Sequence, residues 1–156
     1  GYFGDSRRQC TCTPTQVNRY RSRISGPLLD RIDIQVEVSN VDYEDLSSTE
    51  NSETIAEIKK RVNKTRKLQL ERYKDYNIYS NSQLDAGMLK KFCPLGEEEN
   101  AILRAAFDNL GLSARAHSRI LKVARTIADL EGSENIKSEH IAEAIQYRSL
   151  DRKYFE

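Results

Sequence analysis

The sequence has 156 residues, of which 38% are apolar and 31% are charged, and its formal net charge is +1. This length allows one domain, or one domain and part of another, and no segment reaches the run of about 18 apolar residues that a membrane-spanning helix needs. A net charge near zero excludes a uniformly basic or acidic surface, but the charges fall in blocks, with +4 over residues 1–31, −8 over 32–57 and +6 over 58–76.

The first predicted element is a helix that begins after the N-cap Thr13. Pro14 suits the first helical position and Gln16 completes a capping box, while the Gly-Pro pair further on ends the helix. After a short turn, residues 32–38 alternate apolar and polar side chains, which predicts a half-buried strand. A single strand cannot form a stable sheet, so we expect its partner strands to lie outside this sequence.

Residues 39–53 form an acidic, serine-rich linker, and everything beyond it is predicted to be helical. A long helix is expected over about residues 52–76. Its apolar positions Ile55, Ile58 and Val62 are spaced to form one buried stripe beside a basic outer face.

Three helices are predicted next. Asn81-Ser82 cap a short helix, and the acidic triplet at residues 97–99 begins a longer one that ends at a C′ glycine, Gly111. Ser113 caps the third helix, which runs from residue 114 to 131 and is terminated by a second glycine.

Ser138 is predicted to cap the last helix, with Ile141, Ala142 and Ile145 facing inward. Residues beyond the linker would thus form a bundle of four or five helices of roughly 100 residues, large enough to be an independent unit.

The glycines exclude a phosphate-binding loop within this sequence. Such a loop needs two glycines five positions apart, and the gaps between the seven glycines are 3, 22, 61, 9, 15 and 21. The one methionine is Met88. We therefore expect this sequence to be a piece of a longer protein.

Arg31 is a candidate site residue because it lies between a stiff Gly-Pro turn and the predicted strand. A guanidinium held at a defined angle there can bind phosphate through two parallel hydrogen bonds. A local salt bridge to Asp30 or Asp33 explains the same spacing and, on spacing alone, is the favoured reading.

Arg115 is a second candidate, two residues after the cap Ser113. A cation there opposes the helix dipole, whereas the same first turn attracts an anion. Arg119 and Lys122 continue along one helix face, so the three bases form a ridge that suits a phosphate. An ordinary solvated face fits nearly as well.

The cysteines Cys10, Cys12 and Cys93 are odd in number and follow no apolar signal segment, so we expect reduced thiols in the cytoplasm. Cys10 and Cys12 could supply half of a zinc site, which needs four ligands. Because Cys93, His117 and His140 are not at ligand spacing, incidental thiols are favoured over a complete site. The two histidines are expected at a helix surface or core edge.

Three segments resemble the magnesium-chelatase-like AAA+ ATPases of bacteria, of the competence-protein ComM or YifB type. They are CTCTPTQVNRYRSRISGPLLDRID at residues 10–33, GLSARAHSRILKVARTIADLEG at 111–132 and HIAEAIQYRSLDR at 140–152. The resemblance covers nearly the whole sequence at family level. It implies a mainly α fold, in which residues 43–156 are the C-terminal helical lid of an AAA+ ATPase and residues 1–42 are the tail of its α/β core, with one strand.

The resemblance also implies roles for the arginines. In related AAA+ proteins an L-L-x-R segment before a strand carries the arginine finger, a position that Arg31 takes, and the finger acts on the γ-phosphate of ATP bound by a neighbouring subunit. A similar [S/T]-x-R segment carries the sensor-2 arginine that contacts nucleotide, and Arg115 takes that position, with Arg119 a weaker candidate.

The cofactors and partners implied are ATP with Mg²⁺ in the whole protein, neighbouring subunits of a homo-oligomeric ring, and DNA as the substrate. The family has a cysteine pair just upstream, so Cys10 and Cys12 would be half of a four-cysteine, zinc-like cluster. The phosphate loop, the Walker B carboxylates and the sensor-1 residue are absent from this sequence. The fragment alone is therefore expected to bind no cofactor and to be inactive.

A second class of function stays open from the residues themselves. The chain would then be a helical module that binds DNA or protein and has no nucleotide role. Its contact surface would be the ridge of Arg115, Arg119 and Lys122, or the basic residues of the long helix over 58–74.

Overall fold

The computed structural model describes residues 1–5, 7–38, 41 and 53–148, and these contain seven α-helices and one 3-10 turn. The 3-10 turn is Asn81–Gln83. The helices are α1 Pro14–Arg21, α2 Gly26–Leu29, α3 Ile55–Tyr73, α4 Ala86–Phe92, α5 Glu97–Leu110, α6 Ala114–Glu131 and α7 Ser138–Gln146. The prediction of a mainly α fold is confirmed. The division into residues 1–42 and 43–156 stays a prediction, because most of the linker lies outside the described residues.

Local capping chemistry sets the limits of α1, α5 and α6 where the sequence predicts them. Thr13 Oγ1 accepts from the Gln16 N–H at 3.3 Å while Gln16 Oε1 accepts from the Thr13 N–H at 2.9 Å, a complete capping box for α1. Gly111 and Gly132 end α5 and α6 with φ of 58° and 85°, left-handed conformations that favour glycine. The bounds of both helices are therefore confirmed.

The predicted strand over residues 32–38 is wrong for this chain. Within the described residues no neighbouring strand completes a ladder, and Ile34 and Val36 are 50% and 63% exposed. One backbone group of the segment pairs with a helix end instead, since the Gln35 N–H donates to the Tyr147 carbonyl at 3.0 Å. Alternation of side chains predicts a strand only where partner strands exist to receive its hydrogen bonds.

Three predicted helix starts are displaced. Helix α3 begins after Thr54, which forms a capping box with Glu57, rather than near residue 52. Helix α4 begins after Asp85, whose carboxylate accepts from the Met88 N–H at 2.8 Å. The Asn81 side chain, predicted to cap this helix, instead accepts a hydrogen bond from the buried Tyr73 hydroxyl.

Helix α7 begins after Lys137, so Ser138 is its first residue rather than its cap. The Ser138 hydroxyl donates to Glu99 Oε1 at 3.0 Å and ties α7 to α5. Ile141 and Ala144 are buried in α7, whereas Ala142, predicted to face inward, is exposed.

Helix α6 is the centre of the core and contacts α3, α4, α7 and the 3-10 turn. Its buried face carries Ala116, Ile120, Ala124 and Ala128, each no more than 1% exposed. Alanine at three of these four positions lets neighbouring helices approach closely, and all four positions lie on one face of α6.

The predicted apolar stripe of α3 is wrong. Ile55, Ile58 and Val62 are 83%, 41% and 45% exposed, and every residue from 53 to 64 is exposed. The buried positions of α3 are Thr65, Gln69 and Tyr73. The face that contacts α6 is thus largely polar, and it is stabilised by hydrogen bonds as well as by apolar burial.

Asp129 is the acceptor at the centre of this polar contact, and its side chain is fully buried. Arg72 donates to it through two nitrogens at 2.9 and 2.6 Å, Arg125 Nε at 3.1 Å, Gln69 at 3.2 Å and Asn81 at 2.9 Å. Two guanidinium groups therefore balance the buried carboxylate, which is the condition under which a buried charge is tolerated.

The other hydrogen bonds of the same residues extend this network. Asn81 also donates to Thr126 at 2.9 Å and accepts from the Tyr73 hydroxyl at 2.6 Å. Arg125 donates to the carbonyls of Ser133 and Glu134 at 2.7 and 2.8 Å, beyond the end of α6. The network thus joins α3, the 3-10 turn, α6 and the loop before α7.

We predict that Asp129→Asn lowers the free energy of unfolding by about 3–5 kcal/mol, because the amide keeps the shape but leaves Arg72 and Arg125 without a buried counter-charge. Urea denaturation of the chain measures this change. Asp75→Asn, the same substitution at an exposed position after α3, should change it by less than about 0.5 kcal/mol. Equal effects of the two substitutions would contradict the role given to Asp129.

Candidate functional site: a basic groove on helix α6

Arg115, Arg119 and Lys122 lie along one face of α6 because successive spacings of four and three residues return to the same side of a helix. We call these three residues the basic ridge. They line a groove of about 560 Å³ together with Asp33, Ser82, Ala114 and Ser118. Ser113 positions the start of the ridge, since its hydroxyl accepts from the Ala116 N–H at 3.2 Å.

The three bases of the ridge have different surroundings. Arg115 is exposed, whereas Arg119 is 26% exposed and forms a salt bridge with Asp33. Lys122 donates to the Ser82 carbonyl at 2.8 Å. Partial burial, together with the positive charge of Arg119, lowers the pKa of Lys122 below its ordinary value. A groove with this charge is complementary to an anion.

Arg31 lies on the turn that follows α2, and it is not among the residues that line the groove. The turn is closed by the Arg31 N–H donating to the Leu28 carbonyl at 3.0 Å. The Arg31 guanidinium donates back to the Pro27 carbonyl at 3.2 Å. This contact orients the exposed side chain across the Gly-Pro turn.

Asp30 and Asp33, the two acidic neighbours of Arg31, form salt bridges with other arginines instead of with Arg31. Asp30 lies 3.4 Å from the Arg148 guanidinium, and Asp33 pairs with Arg119. The structure therefore brings Asp33 to the basic ridge, a contact across 86 sequence positions that the sequence did not predict.

Arg148 is a second residue that sequence reasoning missed. Its side chain is 1% exposed, and its guanidinium donates to the Ile32 carbonyl and to Asp30. Arginine is seldom buried unless paired, so its type predicts a surface position. The sequence signal that could have found it is its place in the HIAEAIQYRSLDR motif, just after the last helix.

Cys10 and Cys12 are half-buried and their sulfur atoms converge on Gly1. A Cβ built on Gly1 would lie 2.5 Å from the Sγ of Cys12 and 3.1 Å from that of Cys10. A backbone hydrogen bond from Cys12 is the main cause that lowers the pKa of Cys10 below its ordinary value. Two thiols this close together suit zinc, and they would account for two of the four ligands that a structural site needs.

Cys93 is unsuited to this chemistry. It is 4% exposed in the core, and burial raises the pKa of its thiol to about 11. At neutral pH its thiolate content is therefore far below that of an ordinary cysteine, and only the thiolate is a good metal ligand or nucleophile.

Glu131, Glu139 and His140 form another cluster, whose ligand atoms lie within 4.8 Å of one another. Lys137 Nζ already lies 3.0 and 3.1 Å from the two carboxylates. His140 Nδ1 accepts from the Lys137 N–H at 3.0 Å while Nε2 contacts Glu131. Since the ring accepts at Nδ1, neutral His140 carries its proton at Nε2 and offers no lone pair there to a metal. The cluster is structural.

The histidine predictions are thus only partly correct. His140 is 2% exposed and fastens the start of α7, which is deeper than the core edge expected for it. His117 is exposed on α6 and lies edge-on to Phe107, with ring centroids 6.1 Å apart.

No helix in the part of the chain that the structure describes is long and apolar enough to cross a membrane.

These features define a helical bundle with an anion-complementary groove. The chain belongs to the magnesium chelatase subunit ChlI family: residues 52–148 match the model of the family's C-terminal region, and residues 1–46 match that of subunit ChlI itself. The resemblance to magnesium-chelatase-like proteins is confirmed, and the chain comprises the C-terminal region of this family.

Bacterial relatives support the same assignment. The competence protein ComM of Haemophilus influenzae is 42% identical over 141 residues, which are 90% of this chain and 27% of ComM. The YifB proteins of Escherichia coli and Salmonella typhimurium are 41% and 40% identical over 152 residues, which are 97% of this chain and 29% of each relative. The chain therefore spans less than a third of the length of these curated relatives.

We predict that two thiols of the folded chain react readily with a chromogenic disulfide reagent at neutral pH and that the third reacts only after unfolding. Cys10 and Cys12 are only half-buried and can be reached by the reagent, while burial protects Cys93. Counting the released chromophore before and after addition of denaturant measures this. The matched variant Cys93→Ala should lose only the thiol that appears on unfolding. Three fast thiols in the folded chain would contradict the burial of Cys93.

Proposed function

We propose that this chain is the part of a magnesium-chelatase-like AAA+ ATPase that senses and acts on nucleotide bound elsewhere. ATP and Mg²⁺ would be held by a nucleotide-binding core that this sequence does not contain. The observation that carries the proposal is the groove itself, where Arg115, Arg119 and Lys122 converge within about 560 Å³. Three bases on one helix face suit the several negative charges of a polyphosphate.

Arg115 and Arg119 are assigned as the nucleotide-sensing arginines of the lid. Arg115 is exposed and free to extend toward a phosphate, whereas the contact of Arg119 with Asp33 shows that its guanidinium accommodates an oxygen anion. A guanidinium presents a planar set of donors that matches phosphate oxygens, which favours arginine over lysine for this role.

Arg31 is assigned as the arginine finger. It is exposed on a turn whose backbone is closed by hydrogen bonds and whose flanking residues are tied to Arg148. A guanidinium presented from such a rigid turn would stabilise negative charge that develops on the γ-phosphate of a neighbouring subunit's ATP. This role requires a ring of identical subunits, and we propose DNA as the substrate on which that ring acts.

We propose a structural role for the cysteines. Cys10 and Cys12 would be two ligands of a four-cysteine zinc cluster, completed by a cysteine pair upstream of Gly1. The convergence of the two sulfur atoms on Gly1 and the lowered pKa of Cys10 support this assignment.

The test of the finger uses a protein that joins this chain to the family's nucleotide-binding core. We predict that Arg31→Ala lowers kcat for ATP hydrolysis by about 10³-fold or more and leaves nucleotide affinity within a few-fold, since a finger acts in the transition state. Steady-state kinetics and a nucleotide-binding titration measure the two effects. Arg104→Ala, which removes an exposed arginine of α5, is the control and should change neither. Retained hydrolysis in Arg31→Ala would refute the finger assignment.

A second candidate function is a helical module that binds DNA and has no nucleotide role. It is favoured by the first part of α3, where every residue from 53 to 64 is exposed and where Lys59, Lys60, Arg61 and Lys64 are clustered. Lysines and arginines on a projecting helix can follow a phosphate backbone without reading base sequence.

We predict for this candidate that the isolated chain binds duplex DNA at low salt with a steep dependence on salt concentration. Neutralising Lys60 and Lys64 to Gln should lower the slope of log K against log salt by about 1 for each lysine, because each releases one fewer counterion. Fluorescence anisotropy measures the slopes. Lys90→Gln, an exposed lysine of α4, is the control. Absence of binding at low salt would remove this candidate.

A further inference from the structure

We propose that Asp33 is an internal competitor for phosphate at Arg119, and that phosphate binding displaces Asp33 and thereby removes one of the contacts that restrain the segment carrying Arg31. The inference rests on the proposed function, because it takes the groove on α6 to be a phosphate site. It adds Asp33, a residue outside the basic ridge, and a physical link between the ridge and the turn that presents Arg31.

Asp33 is placed where a phosphate oxygen would bind. Its carboxylate pairs with the Arg119 guanidinium inside the groove, and it is the acidic residue among the described residues that line that groove. A carboxylate and a phosphate present similar oxygen geometry to a guanidinium. Asp33 and an incoming phosphate would therefore compete for the same donors.

Asp33 is held at this position by contacts on both sides. Before it, Arg148 donates to the Ile32 carbonyl and to Asp30 at 3.4 Å. After it, the Gln35 N–H donates to the Tyr147 carbonyl at 3.0 Å. These contacts fasten residues 30–35 to the end of the helical bundle, so that the Asp33 carboxylate reaches Arg119 at little further cost in backbone entropy.

The competition links Arg119 on the basic ridge to Arg31 on the turn after α2. Arg31 is two residues before Asp33 on the same anchored segment, residues 30–35. Displacing Asp33 from Arg119 removes one of the contacts that restrain this segment. Phosphate at the ridge would thus change the freedom of the turn that presents Arg31, and the two events are coupled in both directions.

The strength of the competition is modest because the pair is partly exposed. Asp33 is 56% and Arg119 26% exposed, and solvent weakens ion pairs of this kind. Phosphate binds fully only to molecules in which Arg119 is not paired with Asp33. The apparent affinity of the groove for phosphate is therefore proportional to the fraction of such molecules. Removing the carboxylate should therefore tighten phosphate binding by about two- to five-fold.

The first test is calorimetric titration of the chain with inorganic tripolyphosphate, comparing the unmodified sequence with Asp33→Asn. Asp85→Asn is a matched control, since Asp85 is close enough to Lys122 to influence its pKa but does not pair with Arg119. Asparagine caps a helix as well as aspartate does, so this control keeps α4 intact. We expect Asp33→Asn to gain two- to five-fold in affinity and Asp85→Asn to gain clearly less.

The second measurement follows the segment itself by amide chemical shifts. Tripolyphosphate should shift the resonances of residues 31–35 in the unmodified chain, and these shifts should be much smaller in Asp33→Asn, where the contact is already gone. Circular dichroism verifies that both variants keep the helical fold.

The outcomes separate this inference from the function on which it rests. If tripolyphosphate binds and the two variants gain equally, Asp33 acts only through its charge and the competitor role is overturned. Failure of tripolyphosphate to bind either the unmodified chain or Asp33→Asn would instead overturn the groove as a phosphate site.

Discussion

The structure depends on one buried carboxylate, Asp129, and on the two arginines that balance it. Without its donors this charge would destabilise the core, and without the charge Arg72 and Arg125 would lose their counter-charge. The hydrogen bonds of the group run from α3 through the 3-10 turn to α6 and to the loop before α7. The relative placement of these elements therefore follows from satisfying Asp129.

This constraint divides α6 into two parts with different roles. Its C-terminal half contributes Arg125 and Asp129 to the interior, where their charges are balanced by one another and by Arg72. Its N-terminal half places Arg115 and Arg119 along a groove that is open to solvent. The anchored segment then meets this groove through Asp33, so one helix connects the core to the candidate site.

Short-range chemistry made much of this fold predictable. The limits of α5 and α6 follow from Gly111, Ser113 and Gly132, because capping hydrogen bonds and left-handed glycines act within a few residues. The apolar positions of α3 predicted the wrong buried face, since Ile55 and Ile58 are exposed while Thr65 and Gln69 are buried. The spacing of apolar side chains predicts only faces that are buried by apolar contact. It cannot predict a helix face that is buried through hydrogen bonds to a distant carboxylate.

Residue type and local spacing were enough to establish that the chain is mainly helical, that it holds no phosphate loop, and that Arg115 and Arg119 share one helix face. The three-dimensional fold was needed to show that residues 32–38 form no strand, that Arg148 is buried, and that Asp33 reaches Arg119. These outcomes join residues more than 80 positions apart. Their cause is the pairing of charges and backbone groups that lie far apart in the sequence, which no local pattern contains.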